Sequence, residues 1–215
     1  QIKTIILDNK NQIIEYDNEY IKQIDNYFLS FNNALKKINL PNVNSISDYF
    51  LYYNNSLENI NINNVKYIGN YFLYNNIYLT SLYIPNVQSI GNYFMYYNEN
   101  IINLDACNVQ TIGNSFLLSN DSIKHLMLPS VLSIGNSFLY SNNSLISIDM
   151  PNIIIINDGF LYKNKVLINF NAENLQINGD HFLTNNTSVE NINLPNIKII
   201  GENSSSCINR YRISR

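Results

Sequence analysis

The sequence predicts a solenoid of stacked coils, and three observations carry that prediction. Phe28, Phe50, Phe72, Phe94, Phe116, Phe138, Phe160 and Phe182 recur at a constant step of 22 residues. Asn32, Asn54, Asn76, Asn98, Asn120, Asn142, Asn164 and Asn186 keep the same step. All five prolines fall at one phase of the repeat, and six of the seven glycines fall at another. A strict period in this range marks repeats that cannot bury an apolar face alone and do so by stacking.

Composition is consistent with that reading. The chain has 215 residues, is 46% hydrophobic and carries only 13% charged residues. Asn takes the place of charge, at about one residue in five. The formal charge of −3 gives no basic footprint, so binding to nucleic acid through its phosphates is not expected. No apolar run is long enough to span a bilayer, so membrane insertion is not expected. The chain starts at Gln1, and its first residues contain no apolar leader or small-residue cleavage site. The compartment stays open: cell surface or extracellular if a leader precedes Gln1, cytoplasmic otherwise. Cys107 and Cys207 lie about four and a half coils apart at about 4.8 Å per coil. That is beyond disulfide reach, so both are expected as free thiols. No metal spacing is present, and no cofactor is implied.

Taken in order, residues 1–12 are the least regular. TIIL and IIEY flank a turn-like DNKNQ, which reads as a β-hairpin. A degenerate coil is the rival, because Ile2, Ile6, Leu7 and Ile13 fall on core phases. Either would cap the open end of the core and sheet. From Ile13 the coils follow the consensus L-x-x-I-x-L-P-N-V-x-x-I-G-N-x-F-L-x-x-N-x-S. Its first part alternates: Leu35, Ile38 and Leu40 point inward, and Lys37 and Asn39 outward, giving a short half-buried strand. The prolines Pro41, Pro85, Pro129, Pro151 and Pro195 close this strand, since proline cannot donate to a ladder, and Pro-Asn starts a turn. Gly69, Gly91, Gly113, Gly135, Gly179 and Gly201 mark a second bend, read as a backbone conformation that side chains resist. Asn or Asp beside them reads as a cap for the segment after the bend. That segment, YFLYYN or SFLYSN, reads as one helical or 3-10 turn on the outer side. Near the end Asn178 replaces the in-phase Ile, with Ile177 beside it to compensate. Ser204 stands where Phe should be, and the polar, then basic tail reads as a mobile end.

The asparagine column reads as a ladder of buried amides whose donors and acceptors are satisfied by the bends of stacked coils. Asn54, Asn120, Asn142 and Asn186 also fit the N-x-S/T pattern; if buried, they are by-products of the repeat and carry no sugar.

Two surfaces remain for function. The outward strand positions Lys37, Asn59, Asn61, Tyr83, Asn103, Asp105, His125, Met127, Asp149 and Asn169 form the candidate binding face. Tyr83, Asp105, His125 and Met127 interrupt an Asn/Ser background with contact-forming groups. The second surface is tyrosine: Tyr49, Tyr71 and Tyr93 share one phase, and Tyr52, Tyr74, Tyr96, Tyr140 and Tyr162 another, so the rings should stack in ladders. Catalysis lacks a converging set. His125 and His181 lie in different coils and on different faces. Asp105 and Asp149, about 10 Å apart at the strand spacing, could match a glycosidase pair but lack acid-tuning surroundings. No catalytic residue is assigned.

The stretch Leu79–Pro85 with Gly91, Phe94 and Asn98 resembles the BspA-like, or Treponema-type, class of leucine-rich repeats, whose units read L-x-x-I-x-I-P near G-x-x-A-F-x-x-C-x-x-L. Here Asn stands where Cys is common, and the coil is about one residue shorter. The resemblance covers roughly residues 13–202. It implies an α/β repeat fold: a right-handed arc with one short parallel strand per coil on the concave face and little regular helix. The organisation expected is a cap over 1–12, about nine coils over 13–202, and a tail over 203–215. The resemblance implies a non-enzymatic module that recognises a protein partner or mediates adhesion through the concave sheet. The competing reading is a carbohydrate-binding or purely structural surface protein that uses the stacked tyrosines.

Overall fold

Alternation of the kind seen in Lys37, Ile38 and Asn39 produces a three-residue strand in every coil, with proline after it in five and Asn63, Cys107 or Glu173 in its place in the others. The computed structural model describes residues 4–204 and confirms this. The strands Lys37–Asn39, Asn59–Asn61, Ser81–Tyr83, Asn103–Asp105, His125–Met127, Ser147–Asp149, Asn169–Asn171 and Asn191–Asn193 recur once per coil. Paired neighbours are parallel and offset by one repeat, as in Lys37 opposite Asn59 and Ser147 opposite Asn169. At the N-terminal side Thr4–Leu7 pairs antiparallel with Ile13–Asp17, and the latter continues in parallel to Lys37–Asn39. The row has two breaks: no pairing joins Asn59–Asn61 to Ser81–Tyr83, or Asn103–Asp105 to His125–Met127. Ile60 and Leu104, on the N-terminal side of those breaks, are only partly buried, whereas Leu82 and Leu126 on the other side are buried.

A second strand row was not expected. Two-residue strands from Gln23–Ile24 to Ser133–Ile134 form a six-stranded parallel sheet, and Ile155–Ile156 pairs with Ile177–Asn178. All but Ile177–Asn178 use the in-phase Ile, buried at Ile46, Ile68, Ile90, Ile112 and Ile134. Between the rows the Pro-Asn turn closes with N–H to C=O bonds such as Val43 to Leu40 and Val87 to Ile84.

The outer segment is not helical; the described residues contain no α- or 3-10 helix. Its backbone instead alternates in handedness. Tyr71, Leu73 and Asn75 have φ of 55°, 51° and 56°, and the equivalent trio in every other coil from Tyr27 to Asn185 is likewise left-handed. A helix would close its hydrogen bonds within the segment, whereas this backbone directs them between coils. The Tyr49 N–H donates forward to the Asn70 carbonyl, Leu51 backward to Phe28, and Tyr53 forward to Tyr74. The segment therefore acts as a third inter-coil ladder. Its left-handed positions hold Tyr, Phe, Leu, Met, Ser, Asn, Lys, His or Gly and never Ile, Val or Thr. That avoidance fits the particular cost of φ > 0 for β-branched residues.

The glycine column has a different cause from the one read in the sequence. Its members do not have positive φ; only the out-of-column Gly159 does, at 70°. They are glycine because coils touch there. A Cβ on Gly91 would lie 2.6 Å from the carbonyl of Gly69, and one on Gly113 2.6 Å from Asn92 Oδ1. The neighbouring Asn/Asp row does not cap its own segment either. Each side chain accepts the N–H of its counterpart one coil on: Asp48 from Asn70, Asn70 from Asn92, Asn92 from Asn114, and so on to Asp180 from Glu202.

One continuous core fills the interior. Phe50 through Phe182 are fully buried or nearly so, and adjacent rings stack at 5.1–5.6 Å between centroids. The asparagine column lies beside it, buried from Asn54 to Asn186. Asn32, in the first coil, is only half-buried. The amides reach back to carbonyls of the left-handed turn: Asn76 Nδ2 to Leu51 at 2.8 Å, Asn98 to Leu73 at 2.6 Å, Asn164 to Leu139 at 2.8 Å and Asn186 to Leu161 at 2.6 Å. The acceptor half of the expected ladder is not met throughout: Asn98 and Asn142 Oδ1 accept the N–H of the preceding column member, whereas the Oδ1 atoms of Asn54, Asn76, Asn120, Asn164 and Asn186 have no protein partner among the described residues. Near the end, Asn178 itself takes the core position and accepts the Gly201 N–H at 2.7 Å, while Ile177 stays half-exposed and does not replace it. Cys107 is a free thiol; Cys207 and the tail beyond Ser204 lie outside the described residues.

Candidate functional site

Strand register brings the outward residues onto one face. Lys37 and Asn59 are exposed in adjacent strands, and Asn103 and His125 stand at the same phase further along. At the next outward phase Asn61, Tyr83, Asp105, Met127 and Asp149 follow one another. Much of the face engages its own neighbours. Asn61 Nδ2 donates to Asn39 Oδ1 at 2.7 Å, and Asn39 Nδ2 to Asp17 Oδ1 at 2.9 Å. A second chain runs from Asn193 to Asn171 at 2.7 Å and on to Asp149 at 2.6 Å, and Asn191 donates to Asn169 at 2.7 Å.

The middle is different because its side chains cannot extend an amide ladder. Tyr83 is 53% and Met127 65% exposed. Asp105 is half-buried and accepts the Cys107 N–H at 3.3 Å; burial, then the Asp105 charge, pushes the Cys107 thiol up from its ordinary value. His125 Nδ1 lies 2.8 Å from Ser147 Oγ. This patch straddles the sheet break between Asn103–Asp105 and His125–Met127. Asp105 and Asp149 belong to different sheet segments, with Met127 at the phase between them. His181 lies on the opposite, outer segment. Among the described residues no group of three or more His, Cys, Asp or Glu is placed to hold a metal ion, and no helix is long and apolar enough to cross a membrane.

The tyrosines stack as their phases require. Tyr27, Tyr49, Tyr71 and Tyr93 form a column at 4.5–4.7 Å with ring planes 4–10° apart. Tyr52, Tyr74 and Tyr96 stand beside it, tilted or edge-on to one another, and Tyr140 stacks on Tyr162 at 4.7 Å. At a third phase Phe31 stacks on Tyr53, and after Asn75 Tyr97 stands edge-on to Tyr74; the sequence reading does not include this phase, although its period is visible there. Desolvation raises the phenols of Tyr49, Tyr52 and Tyr74, and a hydrogen bond with Tyr97 together with burial raises Tyr96 to about 12. A raised folded-state value means that ionisation opposes folding. The associated stability is complete below the unfolded value near 10 and is lost as pH rises through about 12. Tyrosinate absorbance should therefore rise in two steps, the later one coinciding with loss of circular dichroism. A single step with the fold intact would contradict this assignment.

Beyond Tyr93 the first column loses its rings, with Ser115, Ser137 and Gly159 in their place and His181 next. A hollow of about 410 Å³ opens over Ser137 and Gly159, walled by Tyr140 and Tyr162 on one side and Asn136 and Asp158 on the other, with His181 at its end. The signal in the sequence was a gap in a column rather than a motif.

The chain is similar to a leucine-rich repeat protein from Bacteroides ovatus at 15% identity and a TM-score of 0.38, over 88% of this chain and 75% of that one. No curated protein matches it. The family described as the BspA type leucine rich repeat region matches in six copies, over residues 2–124 and 88–209. With coils of that type running through nearly all of its length, the chain belongs to the BspA-type leucine-rich-repeat family.

Proposed function

We propose that this chain is a non-enzymatic recognition module that binds a protein partner through the face of its three-residue strands, taken as the concave side of the arc. Leucine-rich repeats of this kind generally serve recognition, and the partner is the part specific to this chain. In this reading residues 1–12 cap an array over 13–202, and 203–215 form a tail. The supporting observation is the break in the amide ladders at Tyr83, Asp105, His125 and Met127. There an exposed ring, a thioether, an imidazole and a carboxylate replace self-satisfied Asn, and aromatic and Met side chains are preferred contact material. The flanking ladders hold Asn61, Asp149 and Asn169 in place and supply a rigid rim.

The tyrosine columns support a structural role for that surface. In the Tyr27, Tyr49, Tyr71 and Tyr93 column the stacked rings cover one another's faces, and Tyr74 is packed against Tyr52 and Tyr96, whereas a sugar needs an open face to lie on. A pull-down from cell-surface fractions with the Tyr83→Ala/His125→Ala chain, set against Tyr74→Ala/Tyr96→Ala, separates the two surfaces. Capture should be lost with the first pair and kept with the second. The opposite pattern would move recognition to the tyrosines.

A further inference from the structure

The hollow over Ser137 and Gly159 has its template within the same molecule. Tyr49 and Tyr71 occupy the corresponding place three to five coils earlier, on the same left-handed backbone: φ is 60° and 55° for the tyrosines, 56° for Ser137 and 70° for Gly159. Their rings stack on one another and pack against the next row, Tyr49 edge-on to Tyr52 at 5.5 Å and Tyr71 tilted against Tyr74 at 6.3 Å. Tyr140 and Tyr162 are the counterparts of Tyr52 and Tyr74, and they are present and stacked. The wall against which a ring would pack is thus retained while the ring is missing. The space, about 410 Å³, lies within the size range of small-ligand sites, about 300–1,000 Å³.

The rim differs in charge from the earlier coils. Asp48 is the earlier carboxylate of this row; Asn70, Asn92, Asn114 and Asn136 follow it, and from Asp158 on the row is acidic without interruption, with Asp158, Asp180 and Glu202 all exposed. The inter-coil ladder engages one oxygen of Asp158 and one of Asp180. Lys163 is the nearby cation and lies 5.4 Å from the centre of the Tyr162 ring.

We propose that this hollow binds an aromatic side chain, a tyrosine or phenylalanine next to a basic residue, presented by a partner polypeptide. The slot fits a planar ring set parallel to the stack, which a puckered sugar ring does not match. The Asp158 carboxylate at its edge, with Asp180 and Glu202 further along the same row, favours a cationic flank over an acidic one. The site is on the opposite surface from the strand face and does not depend on recognition there.

Titration of the labelled protein with acetyl-Lys-Tyr-Lys-amide, followed by amide chemical shifts, tests this. Shifts should centre on Ser137, Tyr140, Gly159 and Tyr162. Acetyl-Lys-Ala-Lys-amide and acetyl-Glu-Tyr-Glu-amide should each bind about tenfold more weakly or worse, the scale of one aromatic contact or close charge pair. Filling the slot with Ser137→Tyr and Gly159→Tyr should abolish binding. These changes suit the fold, because Tyr already occupies this place in four coils, and a Cβ on Gly159 meets nothing closer than 3.6 Å. If the double variant melts early, Ser137→Tyr alone is read in the same way, against Tyr140→Ala, which should also weaken binding. Equal binding of the alanine peptide, full binding by a folded, filled variant, or no binding at millimolar peptide overturns the proposal.

Discussion

Phe116→Ala is expected to lower the unfolding free energy by about 3–5 kcal/mol. Phe116 is fully buried between Phe94 at 5.2 Å and Phe138 at 5.1 Å, so truncation empties the middle of a continuous stack. Each coil contacts only its neighbours, so no distant element can fill the cavity. The backbone cannot readily collapse inward either, because Leu117 is held at φ 50° and its N–H is bonded to the Phe94 carbonyl at 3.0 Å. Phe28→Ala supplies the contrast. Phe28 is partly buried and has Phe50 at 6.2 Å on one side and Tyr16 edge-on at 5.5 Å on the other. Its loss should cost clearly less. Urea unfolding of both variants, followed by circular dichroism, measures the difference. Equal losses would mean that the central stack contributes no more than the end, and that the coils are not energetically coupled through their rings.

The core columns were legible in the sequence because a repeat samples one environment many times. Ile38, Leu40 and Phe50 could be placed in the core from spacing alone, and Lys37 and Asn59 on one face, since a 22-residue step fixes the register. The outer segment was misread for a physical reason. Phe72 and Leu73 are adjacent and both buried, which strand alternation does not produce and a helical turn can. The actual solution alternates right- and left-handed residues, and its trace is a negative one: an Ile-rich chain never places Ile, Val or Thr at those phases. The period places Gly91 at a bend but does not reveal why it is glycine, because close approach to the Gly69 backbone depends on the neighbouring coil and leaves no local mark. On the surface, Tyr83 and Met127 could be found as residues that interrupt a pattern. The hollow over Ser137 and Gly159 could not be found by searching for chemistry-bearing side chains, since its signature is their absence from a tyrosine column.

Asn98→Leu is expected to be as damaging as the loss of a core ring, through polarity rather than volume. Asn98 is fully buried; its Nδ2 donates to the Leu73 carbonyl at 2.6 Å, and its Oδ1 accepts the Asn76 N–H at 2.7 Å. The first partner exists because the left-handed turn aims a carbonyl into the interior, where water cannot replace the amide. Leucine is similar in size but leaves both backbone groups unpaired, at about 1–3 kcal/mol each. On the exposed ladder the same loss should be small. Asn86 Nδ2 donates to the Asn63 carbonyl at 2.9 Å at the surface, and Asn86→Ala should stay within about 0.5 kcal/mol, because solvent takes over the bond. Asn98→Asp isolates the donor. The carboxylate keeps the Asn76 bond but meets the Leu73 carbonyl with negative charge, and burial raises its folded-state pKa above the unfolded value. The folded chain then binds the extra proton, so the stability of this variant should recover as pH falls through that raised value and decline again as pH rises. A stability that stays flat across that range, or an Asn98→Leu chain that melts with the parent, would show that the column fills space without holding the turns.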